Sequence, residues 1–223
     1  NKLVKERDLL ISKFTSIKNV ETICLFLGPY RNLTTLTSSI LFLHPNCQVL
    51  NHGFKRIIYD RRLDWLKNYK DNKFNSFIRY AIQISKSGVG GTFGGSLLYS
   101  HAFDKSKYNM YKIFETSNNK IVKQDIHTLI WKESLITTNH LKDNKLNFYH
   151  LLNQNNNIKF LMPIRNPLDC AASNINSGHV KFFKNLNSNS TIEEVLESIL
   201  DEFIWFLELN RHYPNRFYYF FEY

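Results

Sequence analysis

Residues 22–46 place the strongest constraint on the fold of this chain. The apolar run of residues 23–27 predicts a buried strand, because it is short, dense in large apolar side chains and stopped by a Gly-Pro pair. From Thr34 onward the apolar residues recur at helical spacing until a proline, so a helix is expected there. A strand, the short loop of residues 30–33 and a helix N-terminus bring free backbone N–H groups and the positive end of a helix dipole together. This arrangement predicts an anion-binding site at the loop.

The side chains of the same loop support an anion site. Arg31 adds a cation, and Thr34 and Thr35 add two hydroxyl donors at the start of the helix. An ordinary strand-to-helix turn would show the same hydrophobic pattern, however. The loop alone therefore leaves both interpretations open.

The net charge of the chain favours an anionic partner. Its 223 residues include 29 Lys and Arg against 19 Asp and Glu, which gives a formal net charge of +10. The basic residues are scattered and form neither an arm nor a basic-aromatic repeat, so we expect no nucleic-acid partner. A polyanionic small molecule fits the charge better.

Apolar runs and cysteines limit the classes of protein further. No apolar run reaches the ~20 residues of a membrane span, and a soluble globular protein is expected. The three cysteines lack a CxxC spacing, which favours buried free thiols in a reducing compartment over a disulfide or a metal role. Because no His, Cys or Asp cluster has ligand spacing, no metal site is predicted.

Alternating strands and helices predict a single α/β domain over residues 1–223. Strands are expected at residues 22–27, 48–51, 120–124, 158–164 and 216–221. Helices are expected at residues 2–17, 57–69, 74–84, 97–114 and 141–152, and from Thr191 onward. Strands separated by helices form a parallel sheet of about five strands, covered by helices on both faces.

The glycine-rich residues 87–96 (SGVGGTFGGS) do not match a phosphate-binding loop. No Lys follows in the GxxxxGK[ST] spacing and no strand precedes them. A mobile loop over a binding cleft is expected, and a plain linker is the alternative.

A second cation follows the predicted strand at residues 158–164. Arg165 stands at the strand end, Pro167 is favoured at the first helical position, and Asn166 can cap that helix. Ser173 lies about two turns along it. Since ligands of parallel sheets bind at the carboxyl ends of the strands, both predicted strand ends should contribute to one site.

Together these two segments resemble the sulfotransferase superfamily, whose donor is 3′-phosphoadenosine 5′-phosphosulfate (PAPS). Residues 28–36 (GPYRNLTTL) look like the family's 5′-phosphosulfate loop, and residues 165–173 (RNPLDCAAS) match its 3′-phosphate site. Their order and separation also agree, and the resemblance spans most of the chain. It implies a three-layer fold like that of P-loop NTPases, with PAPS as co-substrate. The donor-binding residues that it implies are Arg31, Asn32, Leu33, Thr34, Thr35, Arg165 and Ser173.

The chain departs from the family pattern at Leu33. The family usually has glycine there, a residue that permits a positive φ and a close approach to phosphate. Leu33 must therefore adopt an allowed backbone or strain the loop.

The resemblance also implies in-line transfer of a sulfuryl group to a hydroxyl or amine. Arg31 is expected to stabilise the charge that grows on the bridging oxygen of the departing nucleotide. His52, just past the second predicted strand, and His127, just past the third, are candidate bases, and Glu133 is a weaker one. Lys123 resembles the family's strand-end lysine and is expected to assist the leaving group or the acceptor.

Other interpretations stay open at this point. A nucleotide-dependent small-molecule kinase would share the strand-loop-helix pattern but needs a phosphate-loop Lys and carboxylates for magnesium. A non-enzymatic module that binds polyanions would need clustered surface cations. The sequence leaves the acceptor open among a sugar, a peptide tyrosine, a lipid and a small alcohol. It also leaves the oligomeric state open. The expected compartment is the cytoplasm, and the Golgi lumen stays open because the chain looks like a fragment truncated at its C-terminus.

Overall fold

A computed structural model describes residues 2–87, 93–104, 110–117 and 120–222. Within these residues the chain builds one six-stranded sheet. Its strands are β1 (Thr22–Phe26), β2 (Cys47–Asn51), β3 (Gly95–Ser96), β4 (Thr128–Lys132), β5 (Ile158–Ile164) and β6 (Phe217–Phe221). They lie in the order β3-β2-β4-β1-β5-β6, and all neighbours are parallel except the β2–β3 pair. The predicted α/β fold with a mostly parallel central sheet is confirmed.

Helices cover both faces of the sheet. They are α1 (Lys2–Ser12), α2 (Thr34–Phe42), α3 (Phe54–Ile57), α4 (Asp71–Ser85), α5 (Met110–Thr116), α6 (Leu135–Asp143), α7 (Phe148–Gln154), α8 (Pro167–Asn176) and α9 (Ile192–His212). Successive strand residues face opposite sides. Leu25 therefore packs in the larger core with α4, α6, α7, α8 and α9, whereas Phe26 packs in the smaller core with α2 and α5.

Several elements begin where local sequence signals placed them. The side chain of Asn166 accepts a hydrogen bond from the Leu168 N–H at 2.9 Å, and Pro167 occupies the first turn of α8. Thr191 and Glu194 form the reciprocal capping box at the start of α9. These signals act within a few residues, so they do not depend on the rest of the fold.

The strand predicted at residues 120–124 is wrong. The third parallel strand is β4, whose Leu129 and Trp131 are fully buried, whereas Ile121 and Val122 are exposed. The Gln48 side chain forms hydrogen bonds to the backbone of the predicted segment: its Oε1 accepts from the Lys123 N–H and its Nε2 donates to the Ile121 carbonyl. These side-chain bonds replace a strand ladder there.

Three predicted helices differ in the structure. The helix expected at residues 57–69 is wrong: the single turn of α3 ends at Ile57, and turns follow it, in which Asp60 accepts hydrogen bonds from the Arg62 N–H and side chain. The helix expected at residues 97–114 consists of the 3-10 helices Leu97–Tyr99 and His101–Phe103 and, later, α5. The helix expected at residues 141–152 is divided into α6 and α7, because Asn147 caps a new helix start. Short polar side chains that form hydrogen bonds to nearby backbone groups interrupt helices in this way.

The glycine-rich segment is only partly described. Residues 88–92 of the expected mobile loop lie outside the described residues, and Gly95 and Ser96 form the edge strand β3. Within the described ranges, none of the helices has both the length and the apolar character that crossing a bilayer requires.

Candidate active site

The carboxyl ends of β1, β2, β4 and β5 meet at one edge of the sheet, beside a pocket of about 470 Å³. Its described lining residues are Tyr30, Arg31, Leu33, Thr34, Thr35, Leu36, Asn51, His52, Tyr99, Ser100, His101, Lys132, Arg165 and His179. None of these described lining residues is acidic. A cavity lined by Arg, Lys and His side chains without carboxylates has the electrostatic character of an anion site.

The loop after β1 is held in place from two sides. Gly28 has a φ of 94°, which L-residues rarely adopt, and a Cβ on it would overlap the Met162 side chain, so a larger residue would strain the loop. Asn32 is fully buried: its Nδ2 donates to the Pro163 carbonyl, and its Oδ1 accepts from the Arg165 N–H at 2.9 Å. The Asn32 side chain therefore joins the loop to the end of β5, which leaves only its backbone amide for a ligand.

Left-handed backbone is concentrated around the pocket. Arg31 has a φ of 61°, Leu33 of 58°, His52 of 62° and Ser134 of 70°. Such conformations cost a non-glycine residue ~1–3 kcal/mol each and persist where the surroundings impose them, often at functional sites. At position 33 a glycine would be free of this cost. Leu33 precedes α2 without a side-chain cap, and its carbonyl accepts the bond from Thr37 N–H.

Arg31 and Ser173, which are far apart in sequence, meet in the structure. Arg31 Nε donates to Ser173 Oγ at 2.9 Å. The neighbouring Asn174 side chain donates to the Tyr30 carbonyl at 2.9 Å, which fixes the same loop against α8. The two predicted segments therefore contact each other; Arg31 and Arg165 line the pocket, whereas Asn32 and Ser173 are not among its described lining residues.

Arg165 lies at the end of β5. Its Nε is buried and has no hydrogen-bond partner among the residues that the structure describes; Glu222 Oε2 lies 3.8 Å away. A buried guanidinium nitrogen without a hydrogen bond is uncommon. Because Arg165 lines the pocket, its guanidinium group can donate to a ligand that enters there.

His52 lines the pocket between two charged side chains. Its Nδ1 is 3.2 Å from Glu133 Oε1, and its Nε2 is 3.3 Å from Lys132 Nζ. The buried Glu133 also accepts from the Phe54 N–H at 3.2 Å, and Trp131 Nε1 donates to the His52 carbonyl at 2.9 Å. With its proton on Nδ1, His52 keeps a basic Nε2 toward Lys132 and the pocket.

The cations influence one another's protonation. Burial lowers the pKa of Lys132 to about 8; Glu133 opposes this shift, and Arg31 adds to it. Burial also lowers the pKa of His179, with further contributions from Arg31, Lys181 and Lys132. An anion in the pocket would relieve these repulsions and favour the charged forms.

The structure places Lys123 and His127 away from this pocket. Both precede β4 and lie toward the amino edge of the sheet, because the strand between them and the pocket begins only at Thr128. Lys123 Nζ lies 4.7 Å above the Phe42 ring, and burial lowers its pKa. His127 Nε2 is 2.8 Å from Asp125 Oδ2, and this hydrogen bond raises the pKa of the imidazole. Neither lines the pocket.

Lys132 ends β4, and the sequence did not predict it as a site residue because the third strand was expected at residues 120–124. The apolar run of residues 129–131, followed directly by Lys132 and Glu133, was the available signal. Asn51, which directly precedes His52, likewise lies at the carboxyl end of a strand, as Lys132 does. No sequence signal pointed to His179 or to residues 99–101.

In the described part of the chain, no group of three or more His, Cys, Asp or Glu side chains is placed to hold a metal ion.

Comparisons with known proteins found one weak structural similarity and no match in sequence. No protein-family model matches the chain, and no curated protein matches it. Among solved structures, the chain is similar to retinol dehydratase in complex with androsterone and inactive cofactor PAP, at 14% identity and a TM-score of 0.34. The match covers 97% of this chain and 58% of that protein, so the chain spans about three fifths of its length. A similarity of this degree carries no argument about function.

Proposed function

We propose that the protein transfers a sulfuryl group from PAPS to a hydroxyl or amine of an acceptor. The observation that carries the proposal is the pocket at the carboxyl edge of the sheet, with Arg31, Lys132 and Arg165 on its walls and no carboxylate among its described lining residues. The two segments that resemble the sulfotransferase superfamily contact each other through Arg31 and Ser173, and each contributes residues to the pocket lining.

The donor would lie along these two segments. Arg31, Thr34, Thr35 and the amides of the loop would hold the 5′-phosphosulfate at the N-terminus of α2. Arg165 and Ser173 would hold the 3′-phosphate, since Arg165 lines the pocket and Ser173 lies against Arg31. These residue types and positions fit a nucleotide with phosphates at both ends of its ribose.

The donor supplies an activated sulfuryl group, and the residues of the chain supply the proton acceptor and the cations. The acceptor oxygen forms a bond to sulfur, the bond from sulfur to the bridging phosphate oxygen breaks, and the proton of the acceptor passes to His52 Nε2. Glu133 stabilises the imidazolium through Nδ1. Lys132 and Arg31 stabilise the negative charge that develops on the departing oxygen. The products are a sulfated acceptor and adenosine 3′,5′-bisphosphate.

The two other interpretations fit the pocket less well. A magnesium-dependent kinase needs carboxylates beside the phosphates, and the described lining residues offer none. A module for extended polyanions needs cations spread over an open surface, whereas Lys132 is buried at the end of its strand.

Calorimetric titration with adenosine 3′,5′-bisphosphate tests the proposal. We expect saturable binding to one site, weakened by roughly 1.5–3 kcal/mol in Arg31→Ala, as for a hydrogen bond to a charged group. Lys145→Ala is the matched control, because it removes one exposed cation beyond the far end of α6. Absence of saturable binding, or an equal loss in both variants, would contradict the proposal; equal losses would indicate general polyanion attraction.

A further inference from the structure

The helix α1 turns large apolar side chains toward solvent. Leu3 is 85% exposed, Leu10 is 59% exposed, and Phe14, just past the end of the helix, is 90% exposed. Residues three and four positions apart share a helix face, so these three side chains lie along one stripe. Asp8 and Ser12, by contrast, are buried against the protein. A surface helix usually has the opposite arrangement, with its apolar residues on the inner face.

The inner face of α1 is fixed by ion pairs. Arg56 Nη1 donates to Asp8 Oδ2 at 3.0 Å, and Lys5 Nζ lies 2.8 Å from Asp60 Oδ2. Leu9 also packs on the larger core. Rotating the helix to bury its apolar stripe would leave the buried Asp8 and Arg56 without each other, which is costly. The stripe is therefore held in an outward position.

The exposed apolar surface continues beyond α1. Ile11, Phe14 and Val122 line a groove of about 320 Å³ between α1 and residues 121–126. Ile121 and Val122 are exposed on the far side of this groove. We call this surface the apolar patch; it consists of Leu3, Leu10, Ile11, Phe14, Ile121 and Val122. Single exposed apolar residues are ordinary, but a continuous patch with a polar rim marks contact with a partner or a membrane.

Basic side chains lie around the apolar patch. Lys2, Lys13 and Lys120 are exposed and each directly neighbours a patch residue in sequence. Lys18 is exposed on the turn that follows Phe14, and Lys86 lines the groove. Long lysine side chains can keep their ammonium groups in water while their methylene groups lie on apolar surface. The rim of the patch is therefore cationic.

Three acidic side chains near the patch contact basic groups of the protein. Arg62 Nη2 donates to Glu6 Oε1 at 2.7 Å. His127 lies 2.8 Å from Asp125 Oδ2 and 3.5 Å from Glu21 Oε1. These pairs leave the lysines of the rim as a net positive charge beside exposed apolar residues.

We infer that the apolar patch docks on an anionic lipid bilayer, with Leu10 and Phe14 in the interface and the surrounding lysines on the lipid headgroups. Exposed apolar residues beside Lys and Arg on a helix are typical of peripheral membrane binding. Anionic headgroups over an acyl layer match both features of the surface, because the apolar side chains and the ammonium groups each find their complement.

The position of the patch suits such docking. Residues 13–21 lead into β1 and residues 121–127 lead into β4, so the groove lies at the amino edge of the sheet. The candidate active site lies at the opposite, carboxyl edge and would stay open to solvent. The inference does not rest on the proposed sulfuryl transfer.

Vesicle flotation tests the inference with the whole chain. The probes are vesicles of phosphatidylcholine alone and vesicles in which about one lipid in four is phosphatidylserine. We expect the protein to float with the anionic vesicles, with a partition coefficient roughly tenfold or more above that for neutral vesicles. Binding should weaken as the NaCl concentration rises from about 0.05 M to about 0.5 M, because salt screens the lysines.

The first variants remove the apolar contribution. Leu10→Ser/Phe14→Ser should lower the partition coefficient on anionic vesicles roughly tenfold or more, since apolar area buried in the interface contributes to binding. Both residues are exposed, so the fold should be unaffected, and the thermal midpoint of each variant checks this. Leu200→Ser, at an exposed position of α9, is the matched control and should float like the wild type.

The second variants reverse the charge of the rim. Lys13→Glu/Lys18→Glu should abolish the preference for anionic over neutral vesicles. Lys55→Glu/Lys181→Glu is the matched control, because it makes the same change in net charge at two exposed positions outside the patch. We expect this control to keep most of the binding.

A direct readout follows the ring at position 14. In Phe14→Trp, the new indole should be quenched by brominated phosphatidylcholine in anionic vesicles, whereas the indole of Leu200→Trp should not. Quenching at position 14 alone would support insertion of the patch.

Three results would overturn the inference. The first is absence of flotation with anionic vesicles. The second is loss of binding in the charge variants with wild-type binding in Leu10→Ser/Phe14→Ser, which would indicate general attraction to polyanions. The third is self-association of the wild type in sedimentation equilibrium that these two serines abolish, without vesicle binding, which would make the patch an interface between two copies of the chain.

Discussion

Replacing Leu33 by glycine tests how the loop before α2 is held. Leu33 has a φ of 58° and a ψ of 8°, a left-handed conformation that costs an L-residue ~1–2 kcal/mol and glycine almost nothing. Glycine also makes the unfolded chain more flexible, which offsets ~0.4–1 kcal/mol of the gain. In the described part of the chain, Leu33 belongs to neither buried core nor to the residues packed on them, so little apolar contact is lost. The net expectation is a stabilisation of ~0.5–1 kcal/mol.

For a chain of this size, that stabilisation corresponds to a rise in the thermal midpoint of ~1–4 °C. Differential scanning calorimetry measures it, and titration with adenosine 3′,5′-bisphosphate measures the effect on the loop. We expect the affinity to stay level or to increase, because glycine accepts the existing backbone and removes a side chain that lines the pocket.

Lys145 provides a matched control. It has a φ of 47°, is exposed, and follows the C-terminus of α6 outside the pocket. Lys145→Gly should raise the thermal midpoint by a similar amount and leave nucleotide affinity unchanged. A loss of both stability and affinity in Leu33→Gly would refute the reasoning, since it would mean that the leucine side chain packs on its surroundings and holds the loop in shape.

Four further expectations concern the pocket. In calorimetry, Arg165→Ala should weaken the binding of adenosine 3′,5′-bisphosphate by ~2–4 kcal/mol more than the binding of adenosine 5′-monophosphate. Equal losses of affinity for the two nucleotides would contradict a 3′-phosphate contact. Ser173→Ala should cost ~1 kcal/mol of bisphosphate affinity, since Ser173 also accepts the bond from Arg31. His52→Ala should lower kcat roughly 10²–10⁴-fold without changing nucleotide affinity. Glu133→Gln should lower kcat by a smaller factor. A wild-type kcat in the His52→Ala variant would exclude His52 as the base. Because the pKa of Lys132 is lowered to about 8, it loses its positive charge above that pH, and nucleotide affinity should fall as the pH rises through 8. Lys132→Met should remove this dependence, and an unchanged titration profile in that variant would show that another group titrates.

Local signals were sufficient for the parts of the fold that depend on neighbouring residues. The end of β1, the start of α2, the Asn166 cap and the capping box at Thr191 all follow from residues a few positions apart. The same holds for one wall of the candidate site. Arg31 and Arg165 each follow a strand that its own apolar run identifies, so their approach to each other follows from the rule that parallel strands end at one edge.

The other wall was decided by tertiary structure. Short apolar runs at residues 121–122 and 129–131 are both compatible with a strand, and only pairing with β1 and β2 selects the second. An error of eight residues in that choice replaced Lys132 by Lys123 as the lysine at the strand end.

The contacts of His52 also depend on that pairing. Its partners Lys132 and Glu133 are about 80 positions away in sequence, and they come within hydrogen-bond distance because β2 lies beside β4. The burial of Asp8 and the exposure of Phe14 beside α1 likewise depend on how the whole chain packs. Local sequence determines where elements begin and end, whereas the register between distant strands and the desolvation of their side chains are cooperative, because each depends on all the other contacts of the folded chain.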